Sequence, residues 1–593
     1  MGDPREDSAH TEGARERTGD PGARSDPGSA DPVQLPEPGS GAHPEERTDP
    51  ADGQDLAALI RDLGDPAAYP QERGPVTVHQ THISVVFLTE TSAHKLKKAV
   101  DLAFLDFRTL ESRKHFCDEE VRLNRRLAPD VYLGVLPVTR GPDGYRIGGE
   151  GEPVEYVVHM RRLPADATLL ARVERDEADE ALVARVARRI AAFHLEARGG
   201  ADVAEQGRLD VVARNARENF EQTEAHVGRT VHASVFARVK EATEAALSAM
   251  GSRIEARAQA GIPRDTHGDL HLDHVYVFPE REPPADLAII DCVEFNRRFR
   301  WADPVADMAF LAMDLAFRGR GDLAAAYARA WFTVREDPDG EDLVPFYLAY
   351  RAVVRAKVEG ILAADEGAPG EARTRAALQA RAHWLLALGA LEPPARRPCL
   401  LLVGGLPGTG KSTLARALAE AAGLERVSSD RTRKALAGID ATTSAAAPFG
   451  AGLYSDEWNR RTYQACLEAA ERILVEGGRV VVDASFREDR WRTAFLERAR
   501  TLGVPALFLH CTAPADEVRG RLRARSGDPS DADVAIYEAA AARWEDASPF
   551  SARARVEVPT GERAEVTAAA ALEVLVHRGL AEPARGGGRG RRL

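Results

Sequence analysis

The pattern of apolar and polar positions divides the chain into two differently built regions. Short strand-like runs lie within residues 76–160, interrupted by a helix from about Leu110 to Leu127, and Ala/Arg/Glu-rich helical patterns follow from about Glu177 to Ala260. Strands followed by helices predict an α+β domain with a small sheet-based lobe and a larger helical lobe. From Cys399 onward, buried strand-like runs alternate with helices of about 10–15 residues. This alternation predicts an α/β domain with a parallel sheet.

Proline-rich and charged stretches set the predicted domain boundaries. Residues 1–53 contain almost no large apolar side chains, so we predict a disordered acidic tail. The first folded domain is predicted over 54–392, followed by a linker over 393–398 whose prolines cannot continue a helix. The second domain is predicted over 399–580. Residues 581–593 are rich in glycine and arginine and are predicted to form a second disordered tail.

Composition narrows the class of protein. Of the 593 residues, 44% are hydrophobic, which is enough for more than one core. The five cysteines are scattered without a C-x-x-C pair, which favours a reducing compartment, and no apolar run is long enough to span a bilayer. We therefore predict a cytoplasmic protein with no membrane partner. The formal net charge of −14 disfavours non-specific binding of nucleic acid, although a local basic groove would be compatible with it.

The most specific motif begins at Gly405, where the sequence fits G-x-x-x-x-G-K-[ST] between an apolar strand and an Ala/Leu-rich helix. Glycines allow backbone N–H groups to surround a phosphate, and the helix N-terminus adds partial positive charge. The motif lysine reaches the β- and γ-phosphates, and the hydroxyl after it binds Mg²⁺. The predicted nucleotide-binding residues are Gly405, Pro407, Gly408, Thr409, Gly410, Lys411, Ser412 and Thr413.

Two further features of the second domain fit phosphoryl transfer. Asp483 ends a short apolar strand and is the expected second acidic ligand of Mg²⁺. Arg521 and Arg525 lie four residues apart in an arginine-rich segment. We predict that these arginines cover the transferring phosphate, and the alternative is a solvated basic face.

The first domain carries a second set of candidate residues. His267 and Asp269 lie at the start of a turn, and Asp291 follows another apolar run. Asp269 can accept or orient the hydroxyl of an acceptor, and Asp291 can hold Mg²⁺ on nucleotide phosphates.

Three nearby residues have simpler structural interpretations. Asp303, which precedes Pro304, is typical of a helix N-cap. Asp307 is expected to interact with the dipole of the same helix. His194 is expected to be a satisfied helix residue rather than a ligand.

These motifs resemble the aminoglycoside phosphotransferase-like branch of the protein-kinase-like fold, over about Leu56 to Leu391. The resemblance rests on the H-G-D motif at 267–269, the later Asp291, and a lysine followed by a glutamate upstream. It implies that Asp269 is the catalytic base, that Asp291 is a metal ligand, and that His267 lies at the substrate.

The same resemblance implies a lysine that pairs with the phosphates, either Lys95 or Lys97, and its ion-pair partner, either Glu120 or Glu119. The chain departs from the family at two points. No G-x-G-x-x-G loop precedes the lysines, and His274 stands where the pattern H-x-D-x-x-x-x-N has asparagine. Mg²⁺ prefers oxygen ligands, so an imidazole weakens the expected second metal contact.

The second domain resembles the small P-loop kinases related to polynucleotide kinase, gluconate kinase and zeta toxins, over about Cys399 to Gly579. The resemblance rests on GLPGTGKST, SSDRTRK and VVVDASF. It implies that Asp430 activates the acceptor hydroxyl and that Arg433 holds the substrate. A helix N-cap is the alternative role for Asp430.

The order of the two domains resembles actinobacterial-type fusions of an aminoglycoside phosphotransferase-like domain with a P-loop ATP-binding domain. We therefore predict a kinase that uses ATP and Mg²⁺ to phosphorylate a hydroxyl of a small molecule, with the P-loop domain as the better supported catalyst. In the alternative, the first domain is a pseudokinase that senses nucleotide or binds substrate, and only the P-loop domain is active. That activity could be 5′-hydroxyl polynucleotide kinase, which needs a basic groove reaching Asp430.

Overall fold

The computed structural model describes residues 56–72, 74–102, 105–440, 450–524, 532–561 and 563–583. These described residues all belong to one compact unit. The predicted tail 1–53, residues 584–593 and Arg525 lie outside the described residues. Among the helices that are described, none combines the length and apolar character needed to cross a membrane.

The first domain begins with a six-stranded sheet in which every neighbouring pair is antiparallel. Its strand order is β1-β2-β3-β8-β6-β7. The elements are α1 (Leu56–Leu63), β1 (Thr77–Gln80), β2 (Ser84–Leu88), β3 (Ser92–Lys97), β4 (Asp101–Leu102), β5 (Leu105–Asp106), α2 (Leu110–Asn124), β6 (Tyr132–Gly141), β7 (Gly144–Ile147) and β8 (Pro153–Arg161).

Alternation along β3 gives the two faces of this sheet different roles. Lys95 and Lys97 point to the face covered by α2, where they contact Glu120. Leu96 points to the opposite face and packs in a core with Leu59 of α1. The central strand therefore carries charged groups on one side and core residues on the other.

The helical lobe follows, and two short antiparallel strand pairs within it carry the H-G-D region. Asp303 caps helix α9 as predicted, because its carboxylate accepts a hydrogen bond of 3.0 Å from the N–H of Val305. The elements are α3 (Leu169–Glu174), α4 (Glu180–Glu196), α5 (Ala201–Glu205), α6 (Leu209–Thr223), α7 (Ala233–Gln259), β9 (Arg264–Asp265), β10 (Val275–Val277), β11 (Leu287–Ile289), α8 (Arg297–Arg300), β12 (Trp301–Ala302), α9 (Pro304–Phe317), α10 (Gly321–Arg335), α11 (Pro338–Glu341), α12 (Val344–Ala364) and α13 (Gly370–Leu391).

The second domain contains a five-stranded, wholly parallel sheet of order β14-β15-β13-β16-β17, which confirms the predicted α/β fold. All six residues of the central strand β13 are buried, as expected for a sheet covered on both faces. The elements are β13 (Cys399–Gly404), α14 (Lys411–Ala422), β14 (Glu425–Ser428), α15 (Ser429–Leu436), α16 (Asp456–Val475), β15 (Arg479–Asp483), α17 (Asp489–Thr501), β16 (Ala506–Thr512), α18 (Ala515–Arg523), α19 (Val534–Ala541), α20 (Pro549–Ala554), β17 (Arg555–Pro559) and α21 (Ala564–His577).

One hydrophobic core joins the helical lobe to the parallel sheet. Phe310 of α9 and Trp384 of α13 belong to the same buried cluster as Leu400 and Leu402 of β13. The interdomain contact is therefore a packed interface, and burial of such side chains is worth about 1.5–3 kcal/mol each. The segment between α13 and β13 connects two bodies that already share a core.

Candidate active sites

The phosphate-binding loop of the second domain lies at the carboxyl end of β13 and leads directly into α14. Gly408 and Gly410 both have φ of +81°, a region that favours glycine. A Cβ on Gly408 would lie 2.9 Å from Val518 of α18, and one on Gly405 would lie 2.6 Å from the carbonyl oxygen of Cys511. The loop is therefore pressed against β16 and α18, and only glycines fit these positions.

Ser412 and Asp483 meet beside this loop. The hydroxyl of Ser412 donates to Asp483 Oδ1 at 3.1 Å, because α14 begins and β15 ends at the same edge of the sheet. Arg426 of β14 donates to Asp483 Oδ2 at 2.6 Å and orients the carboxylate. Hydroxyl and carboxylate oxygens are the ligands that Mg²⁺ prefers, so this pair fits a magnesium ion.

Two residues far along the chain support the loop from outside. The hydroxyl of Thr560 donates to the carbonyl oxygen of Thr409 at 2.5 Å. Arg521 of α18 in turn donates to the carbonyl oxygen of Thr560 at 2.6 Å. Arg521 is thus placed next to the phosphate-binding loop, while its role on the transferring phosphate stays a prediction. Arg525, its predicted partner, lies outside the described residues.

Asp430 lies in the first turn of α15, at the same sheet edge as Asp483. The residue that precedes this helix and takes the N-cap position is Ser428, so the N-cap alternative for Asp430 is wrong. Arg433 follows one turn later and is buried, with Nη1 donating to the carbonyl oxygen of Leu453 at 2.7 Å. Its Nε is buried and has no hydrogen-bond partner among the described residues.

In the first domain, Lys95 and Lys97 share one buried carboxylate. Lys95 Nζ lies 2.9 Å from Glu120 Oε1, and Lys97 Nζ lies 2.7 Å from Glu120 Oε2. Lys95 Nζ also lies 2.7 Å from Asp291 Oδ1, whereas Lys97 pairs with Glu294. Burial opposes the charge on Lys95, but the Asp291 and Glu120 carboxylates raise its pKa above the usual value. Lys95 is therefore the lysine that faces the predicted metal ligand.

The alternative partner Glu119 is wrong. Its carboxylate accepts a hydrogen bond of 2.7 Å from Arg122, one turn along α2. Adjacent helix positions point about 100° apart, so only one of the two glutamates can face β3. The buried one is Glu120.

His274 lies between Asp269 and Asp291. Its Nδ1 is 2.8 Å from the carbonyl oxygen of Asp269, and its Nε2 is 3.5 Å from Asp291 Oδ2. Burial and the nearby His271 lower the pKa of His274 to about 4, so the imidazole is neutral at physiological pH. Since a carbonyl can only accept, Nδ1 carries the proton and the Nε2 lone pair faces Asp291. The site therefore offers one imidazole nitrogen and carboxylate oxygens to a metal ion.

Both carboxylates of this site are held in their charged form. Burial alone would raise the pKa of Asp269, but His271 lowers it below the usual value. Burial would likewise raise the pKa of Asp291, and Lys95 lowers it. The two aspartates are therefore ionised at physiological pH, as a base and a metal ligand need to be.

Asp307 fixes the backbone of the H-G-D motif. Its two carboxylate oxygens accept from the N–H groups of His267 at 3.1 Å and Gly268 at 2.8 Å. His194 Nε2 lies 3.0 Å from the same carboxylate, which confirms that His194 is a satisfied structural residue. His267 is 1% exposed and its Nε2 donates to the carbonyl oxygen of Ile290 at 2.8 Å. The structure thus uses His267 to support the motif, not as a surface for substrate.

Sequence reasoning missed several residues that position these sites. Glu294 forms an ion pair with Lys97. The hydroxyl of Tyr132 accepts from the N–H of Asp291, and Arg426 donates to the carboxylate of Asp483. The available signal was weak: Arg426 lies on a predicted strand, and Glu294 follows Asp291 by three residues.

Comparison with known proteins agrees with this geometry. Residues 103–344 match the phosphotransferase enzyme family, and residues 400–547 match an AAA domain family. The uncharacterized protein Rv2004c of Mycobacterium tuberculosis (strain ATCC 25618 / H37Rv) is 36% identical over 472 residues, which cover 79% of this chain and 90% of that protein. Kinase-type domains of these two kinds indicate phosphotransfer, and they imply ATP as the phosphate donor with a divalent metal ion.

Solved structures each match a part of this chain. An unliganded sugar kinase from Janibacter sp. HTCC2649 is 19% identical and covers 31% of this chain and 99% of its own, with a TM-score of 0.24. The GDP complex of aminoglycoside 2′-phosphotransferase-IIIa is 14% identical and covers 56% of this chain and 98% of its own, with a TM-score of 0.33.

Proposed function

The chain belongs to the same family as the mycobacterial protein Rv2004c, and we propose that it transfers the γ-phosphate of ATP to a hydroxyl group of a small molecule. We assign this transfer to the P-loop domain. The observation that carries the proposal is the 3.1 Å contact between Ser412 and Asp483 beside the phosphate-binding loop. It brings together two oxygen ligands for Mg²⁺ at a helix N-terminus that can bind phosphate.

The proposed mechanism assigns one task to each residue of the P-loop site. Loop N–H groups and Lys411 bind and orient the phosphates, and Ser412 and Asp483 would hold Mg²⁺. When bound, Mg²⁺ neutralises charge on the phosphate oxygens. Asp430 orients the acceptor hydroxyl and takes its proton, with Arg433 one helical turn away to hold the acceptor. Positioning and electrostatics supply most of the rate.

Arg521 completes the proposed site from the side of α18. Its guanidinium already reaches the backbone that supports the loop, through the carbonyl oxygen of Thr560. From there it can add positive charge near the transferring phosphate.

A second proposal concerns the first domain, which we propose binds nucleotide without transferring phosphate. The supporting observation is His274, whose imidazole stands at the position of the family's asparagine and hydrogen bonds the carbonyl oxygen of Asp269. Lys95 and Glu120 keep the paired arrangement that contacts nucleotide phosphates. The retained Lys95 supports nucleotide binding. The imidazole of His274 at the metal-ligand position supports the loss of phosphate transfer.

The test of the main proposal is ATP turnover by the full chain with a panel of hydroxyl acceptors. The panel contains sugars, sugar acids, aminoglycosides, nucleosides and a 5′-hydroxyl oligonucleotide. Lys411→Ala should lower acceptor-dependent ADP formation about 100-fold or more, because it removes a cation from the transition state. Arg416→Ala, an exposed residue of the same helix, is the matched control. Equal turnover by both variants would overturn the assignment to the P-loop domain.

A further inference from the structure

A cluster of possible metal ligands lies on the face of the N-terminal sheet opposite Lys95. His94 of β3 and His159 of β8 are directly paired across the two strands. Their rings stack with centroids 4.9 Å apart and planes within 2°. Glu72, from the loop before β1, is the third member. One ligand atom from each residue lies within 4.8 Å of the other two.

His94 is an unusual residue to find inside a core. It is 3% exposed, and its Nδ1 is fully buried with no hydrogen-bond partner among the described residues. Most buried polar atoms are hydrogen bonded, so an exception requires an explanation.

The other two members are held at the cluster by the protein itself. Glu72 Oε2 accepts from the N–H of Thr91 at 3.3 Å and from its hydroxyl at 3.2 Å. His159 Nε2 lies 3.2 Å from the hydroxyl of Ser92. Two adjacent residues of one segment thus orient both partners of His94, an arrangement typical of outer-shell support around a metal ligand.

We propose that His94, His159 and Glu72 bind a divalent transition-metal ion of the zinc class. Two imidazole nitrogens and one carboxylate oxygen are a common ligand set for Zn²⁺, whereas Mg²⁺ takes oxygen ligands. Ligand atoms about 2 Å from a tetrahedral zinc ion are about 3.3 Å apart. A bound ion would have to draw the three ligand atoms, which lie within 4.8 Å of one another, to that separation, and a water would take the fourth position.

This site differs from both phosphate sites in place and in ligands. Metal binding would join three separate segments of the chain: the loop before β1, strand β3 and strand β8. Lys95 follows His94 directly on β3, so the ion would brace the strand that carries the phosphate lysine. The inference does not depend on the proposed function.

The experiment uses the full chain after chelator treatment, without nucleotide. Zn²⁺ alone is titrated in competition with a chromophoric chelator, and Co²⁺ absorption is recorded in parallel. We expect Glu72→Gln and His159→Gln each to lower the affinity for one equivalent of zinc by more than about 100-fold. Even changes to outer-shell residues lower metal affinity about 10- to 100-fold. The visible absorption bands of bound Co²⁺ should disappear in the same two variants. His79→Gln, an exposed histidine of the same sheet, should bind as the wild type does.

Glu72→Gln keeps the size of a half-buried side chain, so its thermal melt in the absence of metal should match that of the wild-type apo protein. The proposal would be overturned if the wild-type chain failed to compete with the chelator for zinc. Zinc uptake that is equal in the wild type, Glu72→Gln and His159→Gln would overturn it as well.

Discussion

The two phosphate sites of this chain are assembled in different ways. In the P-loop domain, nine consecutive residues from Gly405 to Thr413 form the phosphate-binding loop and the start of its helix. In the kinase-like domain, Lys95, Glu120, Asp269 and Asp291 come from four separate segments. A contiguous loop depends on one strand and one helix, whereas the dispersed site depends on the whole fold of its domain.

The carboxylates predicted to bind metal differ in the same manner. Asp483 contacts a hydroxyl and a guanidinium, and thereby offers an all-oxygen site to a metal ion. Asp291 contacts Lys95 and faces the Nε2 of His274, which makes the donor set mixed. Since Mg²⁺ prefers oxygen and imidazole suits softer ions, the comparison favours magnesium-dependent transfer in the P-loop domain.

The largest expected effect comes from Asp483→Asn. The change removes a charged metal ligand and leaves the Arg426 guanidinium without its anion, so acceptor-dependent turnover should fall about 100- to 1,000-fold. Initial rates over a series of Mg²⁺ concentrations measure this. Asp516→Asn, whose side chain is 99% exposed on α18, is the control. Unchanged rates would show that the P-loop site does not carry the reaction.

Asp307→Asn should destabilise the chain, because it removes the carboxylate that holds the backbone of the H-G-D motif. The buried His194, His267 and Arg351 hold the pKa of Asp307 at about 2 although burial raises it. The usual pKa of an aspartate is near 4, and lowering it to about 2 in the folded state contributes about 2 kcal/mol to the free energy of unfolding. Because the folded-state pKa is depressed, that contribution is complete above about pH 4 and is lost as the pH falls through about 2.

Urea unfolding at pH 7 measures the cost of Asp307→Asn, and the exposed Asp339→Asn serves as control. The difference between variant and wild type should shrink at acid pH. A variant as stable as the wild type at pH 7 would contradict the role of Asp307 in fixing the H-G-D motif.

Lys95→Met should weaken nucleotide binding by the kinase-like domain about tenfold, since the variant loses a phosphate-pairing cation but keeps its shape. Binding of a fluorescent ATP analogue is measured in the Lys411→Ala background, which weakens binding at the P-loop site. Lys98→Met, three residues along the same segment, is the control. If both lysine variants bind nucleotide like their parent, Lys95 is not a nucleotide ligand.

The smallest expected effect is a shift in metal preference. His274→Asn replaces an imidazole nitrogen by an amide oxygen, so nucleotide binding at the kinase-like site should favour Mg²⁺ over Mn²⁺ a few-fold more than in the wild type. The ratio of the two metal dependences, again in the Lys411→Ala background, is the measurement. An unchanged ratio would mean that His274 does not contact the metal ion.

The contrast between a contiguous and a dispersed site explains why the sequence predicted the P-loop site more completely. The P-loop strand, its helix and the acidic end of β15 follow local patterns, and the structure contains them with similar bounds. The parallel sheet followed from alternation of strands and helices. Arg426 could not be assigned, because its contact with Asp483 depends on which strand lies beside β15.

The kinase-like site was harder to predict for the same physical reason. Glu119 and Glu120 are chemically equivalent in the sequence, and only the packing of α2 on β3 selects Glu120. Asp307 looked like a dipole partner of its own helix, and its contact with the H-G-D motif joins residues 40 positions apart. For Asp430 the sequence left a helix N-cap as the alternative to a base, and the structure places Ser428 at the N-cap of α15 instead.

The central claim is that the P-loop domain alone transfers phosphate. The most direct test is to identify the phosphorylated product by mass spectrometry after incubation of ATP, Mg²⁺ and the acceptor panel with Lys411→Ala and with Asp269→Ala. Our account predicts that Lys411→Ala lowers the rate of product formation about 100-fold or more, while Asp269→Ala forms the product at the wild-type rate. Loss of the product in Asp269→Ala, with full retention in Lys411→Ala, would contradict the account.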